Sequence, residues 1–424
     1  MSALTRAEIK GRLPLKLFTN IAILYVWQVG VYLVPLIVVP YLSRTLGVEQ
    51  FGLLGTATGF VAYALAIVDW GFNYTATKQI SQNRHDLDKI IEIFWDVVFA
   101  KVFLAVITLT IINIALFQFH ALPDIKFIIL FLELQIIGGM LNFDWLLRGL
   151  ERMGWFAVVS LAGRLTLIPL TFLFVKSPSD TWIAAAAQGI STVISGIAAM
   201  ILISRIVRVT PVRFSPHSIL TQLKDGVYLF LSTTAINVYV QSSVFLVGLA
   251  STPTQAGLYA GADRIKKAGQ GLIGPISGAL YPRISNLFVH ERKSLRRTVL
   301  LFLVIQGAFT LCISLAMYFF AEHIVQGFLG PEFTDAIPVV KLLSPVPFLV
   351  GIANVLGTNL LIPLGYNKTF MAITLSAGLF SFVSLLLLSS HFGAIGAAAA
   401  ITTCEGLIAI ATSLTSIRIF KMLR

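Results

Sequence analysis

From Gly257 to Pro282 the chain reads GLYAGADRIKKAGQGLIGPISGALYP. At about 1.5 Å per residue this stretch is long enough to cross a hydrocarbon core of about 30 Å, yet it carries Asp263, Arg264, Lys266 and Lys267. Each charge near the bilayer centre costs about 2.5 to 3.5 kcal/mol on insertion scales, so such a helix faces protein or water and not lipid. At about 100° per residue, Tyr259, Lys266, Lys267, Gln270 and Gly274 fall within about 60° of Asp263 and form one polar stripe. Two readings fit this stripe. One is a buried ion-pair cluster, Asp263 with Lys266 and Lys267 at i+3 and i+4, that helps the bundle assemble. The other is a wet cavity or an anion site, favoured by the surplus of three bases over one carboxylate.

The rest of the chain reads as an integral membrane protein. Of its 424 residues 57% are hydrophobic and 12% charged, against about 25% charged for a soluble domain. Apolar runs of spanning length recur at 17–41, 51–73, 95–117, 125–147, 154–175 and 181–204, and again at 226–249, 257–281, 298–320, 338–363, 368–389 and 394–417, which predicts an all-α protein of about twelve helices. The formal charge of +12 has no continuous groove to serve nucleic acid. It sorts by side instead: 22 Lys and Arg fall on one side of the expected membrane and 4 on the other, which places both termini in the cytoplasm. The basic segment before Leu17 resembles a signal peptide in charge order, but the apolar run behind it is too long, so it is read as a retained first helix. Cys312 and Cys404 stand alone in apolar runs, excluding a disulfide framework. No phosphate-binding loop, metal-ligand spacing or catalytic cluster is present, so no enzyme, cofactor or metal is expected.

An internal repeat divides the chain. Phe51-Gly52-Leu53-Leu54-Gly55 matches Ala256-Gly257-Leu258-Tyr259-Ala260 at an offset of 205 residues. Six spans per half put both halves in the same orientation, related by an axis along the membrane normal. The expected division is a six-helix lobe over 1–204, a cytoplasmic linker over 205–225 and a second six-helix lobe over 226–424. The loop from Asn73 to Glu92 is either a short interfacial helix or a solvated connector.

Outside the eighth span the ionisable residues at membrane depth are Lys101, Glu133, Asp144, Arg164 and Glu405, with Asp69 nearer an end. Lys101 lies about 9 Å from the inner end of its helix and can snorkel. Arg164, about 15 Å deep, reaches neither interface easily and has the fork to clamp a phosphate, unless a carboxylate such as Glu133 pairs with it. Glu133, Glu405 and Asp144 are candidates for proton or ion coupling. Asn237 and Gln241 make an i, i+4 polar pair suited to sugar hydroxyls or to a neighbouring helix.

At the end of the fourth span the chain reads Asn142-Phe143-Asp144-Trp145-Leu146-Leu147-Arg148-Gly149-Leu150-Glu151-Arg152-Met153. This resembles the W-x-x-x-G-x-E-x-M signature of bacterial polysaccharide flippases of the multidrug, oligosaccharidyl-lipid and polysaccharide (MOP) exporter superfamily, and the Wzx type that moves O-antigen units in particular. Leu46 to Gly52, Asp69-Trp70-Gly71-Phe72 and Ala76-Thr77-Lys78 agree with it, and with the span count and repeat the resemblance covers nearly the whole chain. It implies two lobes forming a V around a central cavity in the bacterial inner membrane, and a cargo of undecaprenyl-pyrophosphate-linked oligosaccharide for lipopolysaccharide synthesis. It also implies neighbours such as a polysaccharide polymerase and chain-length machinery. Arg264, Lys266, Lys267, Arg164 and Lys101 would face the diphosphate, with Asp263, Gln270, Asn237 and Gln241 as polar cavity residues. Relatives in the superfamily include cation-coupled drug exporters, which would be expected to present an acidic or aromatic pocket. A membrane glycan polymerase or ligase is the other alternative, disfavoured by the short outer loops.

Overall fold

The computed structural model describes residues 15–118, 123–206, 218–227, 230, 243–273, 284 and 292–422. Among these residues there are helices and no strands. The first half comprises α1 (Leu15–Asp69), α2 (Phe72–Gln82), α3 (Leu87–Gln118), α4 (Pro123–Met140), α5 (Asp144–Gly149), α6 (Met153–Phe174) and α7 (Thr181–Ile206). The second half comprises α8 (Ser243–Ala250), α9 (Pro253–Gly271), α10 (Arg292–Phe319), α11 (Ala321–Ile324), α12 (Ile337–Leu343), α13 (Val346–Ala353) and α14 (Asn367–Met422).

Eight described segments are long and apolar enough to cross a membrane. Two of them must cross twice: α1 and α14 have 55 and 56 residues, about 80 Å of helix against a core of about 30 Å. Each is broken at a glycine with positive φ, Gly47 (φ 72°) and Gly393 (φ 53°). The break at Gly393 frees a backbone N–H, and Gln255 from the start of α9 takes it: Ala394 N donates to Gln255 Oε1 at 2.9 Å. The expected seventh and eighth spans correspond to α8 and α9 together with residues outside the described set, Pro275 included.

The repeat has a physical counterpart. A Cβ on Gly52 would lie 2.0 Å from the Pro253 carbonyl oxygen, and a Cβ on Gly257 would lie 2.0 Å from the Val48 carbonyl oxygen. Pro253 stands 205 residues after Val48, as Gly257 stands after Gly52, so the two halves touch through the same residues exchanged. Gly55 faces its own counterpart too: a Cβ on it would lie 3.3 Å from the Ala260 Cβ. Nearby, Ser43 Oγ donates to the Leu329 carbonyl at 2.8 Å, Arg44 donates to the Gly327 carbonyl, and Phe51 packs edge-on against Phe333 at 5.7 Å. The middle of α1, around its break at Gly47, is therefore clamped to α9 and to the helical turns between α11 and α12.

The opposite end is built from the motifs. Trp70 (φ 44°) and Gly71 (φ 78°) are both left-handed, which stops α1 and turns the chain into α2. Trp70 accepts this conformation because its ring is anchored: Nε1 donates to the Leu223 carbonyl at 2.9 Å and the indole stacks on Phe230 at 4.1 Å. The segment from Asn73 to Glu92 is helical to Gln82, with Phe72, Ala76 and Ile80 of α2 buried, breaks over 83–86 and re-enters a helix at Leu87. The fourth expected span, 125–147, is not continuous. It stops at Met140 and restarts at Asp144, where Asn142 Oδ1 accepts the Asp144 N–H at 2.9 Å and the Asn142 carbonyl turns to the Lys101 ammonium at 3.2 Å. Trp145 is fully buried, and Thr77 Oγ1 donates to its carbonyl at 3.1 Å. A Cβ on Gly149 would meet Ile80 Cβ at 2.7 Å and the Thr77 carbonyl at 3.0 Å, while Glu151 (φ 57°) pairs with Arg84 at 3.0 Å. Gly149→Leu is expected to push α5 off α2 and reduce protein in the membrane severalfold on an immunoblot, whereas Glu151→Gln, which loses an exposed ion pair worth under about 1 kcal/mol, changes it little.

Candidate functional site

Thr252 caps α9, its hydroxyl accepting the Gln255 N–H, and Pro253 occupies the first helical position. The helix then presents its charges as i+3 and i+4 spacing dictates. Lys266 Nζ lies 2.6 Å from Asp263 Oδ1, and Lys267 Nζ 2.9 Å from Asp263 Oδ2. The Asp263 and Lys266 side chains are 2% and 8% exposed and Lys267 is 33% exposed, so the outer lysine alone of the pair opens to a ligand. Glu405 on α14 acts on Lys266 as a second counter-charge. Tyr259 is buried behind the cluster and Gln270 is half-buried one turn beyond it. Arg264, about 100° around the helix from Asp263, is exposed, and no ion pair holds it among the described residues. The ion-pair cluster is thus present, and beside it stand two cations, Arg264 and Lys267, still accessible.

A second polar region lies in the first half. A cavity of 480 Å³ is walled by α1, α4, α6 and α7, with Asp69, Asp144 and Arg164 among its lining residues. Lys101 does not line it. Its ammonium, 1% exposed, is held 3.5 Å from Asp69 Oδ1 and 3.2 Å from the Asn142 carbonyl, while Asn73 Nδ2 donates to Asp69 Oδ2 at 2.8 Å. Lys101 therefore pins α3 to the end of α1 and to the break between α4 and α5. Arg164 is exposed along the cavity and feels Asp144, not Glu133, as its nearest opposing charge. Asp144 is balanced in addition by Arg148, whose guanidinium covers the Phe156 ring at 4.6 Å.

The other sequence candidates fall elsewhere. Glu133 accepts from Asn113 Nδ2 at 2.9 and 3.1 Å, between α3 and α4 and apart from the cavity. Asn237 and Gln241 lie outside the described residues. The cavity that Arg164 lines has no residue of the α9 cluster among its lining residues. Within the first-half cavity the structure adds Gln135, Gln188, Ser191 and Ser195, which sequence reasoning passed over. The signal was there for α7: residues 188, 191 and 195 repeat at helical spacing in an otherwise apolar span.

Comparison with known proteins agrees with this architecture. The inward-facing conformation of a multidrug resistance MATE transporter of the MOP superfamily superposes with a TM-score of 0.77 at 16% identity, covering 92% of this chain and 94% of that one. The outward-facing conformation of such a transporter gives 0.63. The lipid II flippase MurJ, inward closed, gives 0.67 at 14% identity, covering 94% of this chain and 87% of that one. These identities carry the fold alone, that of MOP transporters. Two curated relatives, each named "Putative O-antigen transporter", share more of the sequence. That of Escherichia coli (strain K12) is 35% identical over 403 residues, 93% of this chain and 95% of the relative. That of Shigella dysenteriae is 28% identical over 394 residues, 92% and 98%. Residues 17–288 match the family model described as polysaccharide biosynthesis protein, and the chain belongs to that family.

Proposed function

We propose that the chain is a flippase that carries undecaprenyl-diphosphate-linked oligosaccharide from the cytoplasmic to the periplasmic leaflet of a bacterial inner membrane by alternating access, making and breaking no covalent bond. The observation that carries this reading is the set of accessible cations at membrane depth: Arg264 and Lys267 on α9 and Arg164 on α6. Cations at this depth are costly unless an anion meets them, and a diphosphate in passage offers oxygens to the α9 pair and, at a separate point, to Arg164. Lys266 is taken up by Asp263, with Glu405 a second counter-charge, which leaves the positive field to Lys267 and Arg264, and Lys101 acts as a positioning group for Asp69 and Asn142. Asp144 and Glu405, each facing a cation, are the carboxylates assigned to coupling. The names of the curated relatives support the cargo class, and a polymerase would receive the unit on the far side.

Alternating access draws support from the clamp at one end of the bundle, where residues 43–52 meet 253–257 and 325–333. With the termini cytoplasmic this is the periplasmic end, and its closure agrees with the higher TM-score to the inward-facing transporter. Among the described residues the lining of the first-half cavity includes no aromatic side chain, and its carboxylates already face cations, Asp69 that of Lys101 and Asp144 that of Arg164, which disfavours organic cations.

Deletion of the gene is expected to accumulate lipid-linked oligosaccharide on the inner leaflet, with re-expression clearing it. Unchanged lipid-linked sugar would sink the transport reading. Orientation is checked separately: a cysteine at the exposed Thr254 reacts with an impermeant thiol reagent added outside, and one at Asp88 does not, with reversed labelling inverting the topology.

A further inference from the structure

We infer that the cavity between α1, α4, α6 and α7 is a sugar-binding pocket that takes a neutral saccharide ring of the cargo, with Gln188, Gln135 and Ser195 as recognition side chains. The inference deepens the flippase reading and rests on it. It starts from a placement: Gln135, Gln188, Ser191 and Ser195 line one cavity inside an otherwise apolar bundle, where polar side chains are costly unless polar groups meet them. At 480 Å³ the cavity has the volume of a small-molecule site.

Its chemistry selects the ligand class. On α7 the hydroxyl protons are already committed to backbone carbonyls, Ser191 to Gln188 at 3.1 Å and Ser195 to Val159 at 3.2 Å, so these oxygens meet a ligand as acceptors. Gln135 Nε2 donates to Gln188 Oε1 at 3.2 Å, which holds the Gln188 carboxamide in place and leaves its amide protons as donors. One wall therefore offers both a donor and acceptors, a combination that the hydroxyls of a polyol satisfy. The charges point the same way. Asp69 is engaged by Lys101 and Asn73, and Asp144 faces Arg148 and Arg164, so both carboxylates have cations of their own and the uncharged wall is what remains for a neutral ring. With no aromatic lining residue, an organic cation finds no ring face. Arg164 belongs to the same cavity, so a ring bound here sits next to the group assigned to the diphosphate.

The test is direct binding to the purified full-length protein with two probes. One is the lipid-linked oligosaccharide extracted from cells lacking this gene, and the other is undecaprenyl diphosphate without sugar. The wild type is expected to bind the first at least about tenfold tighter, the effect of one to two good hydrogen bonds. Gln188→Leu removes that difference and leaves affinity for the bare diphosphate unchanged. Ser195→Ala keeps the Cβ that packs against Gly163 and removes only the hydroxyl, so it guards against misfolding while reducing the difference. Arg164→Ala weakens both probes alike. Equal wild-type affinity for the two probes overturns the sugar pocket, as does a full difference retained in both Gln188→Leu and Ser195→Ala. Failure of the wild type to bind either probe overturns the diphosphate reading instead, and the sugar pocket with it.

Discussion

Gly257→Val is expected to abolish transport and to lower the amount of folded protein. The added Cβ would stand 2.0 Å from the Val48 carbonyl oxygen and 2.9 Å from its carbon. Neither is the tip of a flexible side chain, so relief requires moving α1 away from α9. Overpacking of a well-filled contact costs about 1 to 3 kcal/mol, and here the contact also joins the two halves. Gly52→Val makes the same intrusion from the other side, against the Pro253 carbonyl and the Gly257 nitrogen. If this clamp closes the periplasmic end during the cycle, the smaller Gly257→Ala gives a graded result: protein near the normal amount, transport reduced, and a cysteine at Thr254 labelled faster from outside. Wild-type surface polysaccharide from Gly257→Val at normal protein level would show that the contact has no mechanical role.

The same contact shows why part of the fold was legible in the sequence. Five residues around Gly52 and five around Gly257 look alike because they occupy equivalent places against one another, and a backbone-to-backbone approach admits no side chain on either. The i+3 and i+4 spacing that joins Asp263 to Lys266 and Lys267 was legible for the same reason: it is set by one helix alone. What the sequence left open depends on neighbours. Which cation of α9 stays accessible is decided by α14 and by the packing that buries Lys266, not by the order of residues. Lys101 has the depth of a snorkelling residue, yet it turns inward because α4 breaks after Met140 and exposes the Asn142 carbonyl, a break hidden inside the apolar run 125–147. Gln135, Gln188 and Ser195 are single polar residues on separate stretches, and they become one wall when α4 and α7 close on each other.

Arg264→Glu is expected to leave the protein folded and to reduce transport by about tenfold to a hundredfold, the scale of one lost charge-assisted hydrogen bond. The side chain is exposed, so its reversal disturbs no packing. Asp263→Asn does the opposite. It leaves a buried Lys266 and a mostly buried Lys267 without their shared carboxylate, and breaking a buried pair from one side costs about 3 to 5 kcal/mol. That fraction of a typical stability is enough to deplete the protein from the membrane, whatever the cluster does for transport. Separating scaffold from binding site therefore needs a repair. Asp263→Asn combined with Lys266→Met replaces the buried pair by neutral groups of similar size and leaves Lys267, one-third exposed, to be solvated, which costs less than breaking the pair from one side. Recovery of both protein level and transport in the double variant would make the pair a scaffold and leave Arg264, Lys267 and Arg164 as the anion site. Recovery of the protein alone, with transport still lost, would place the Lys266 charge in the path of the diphosphate.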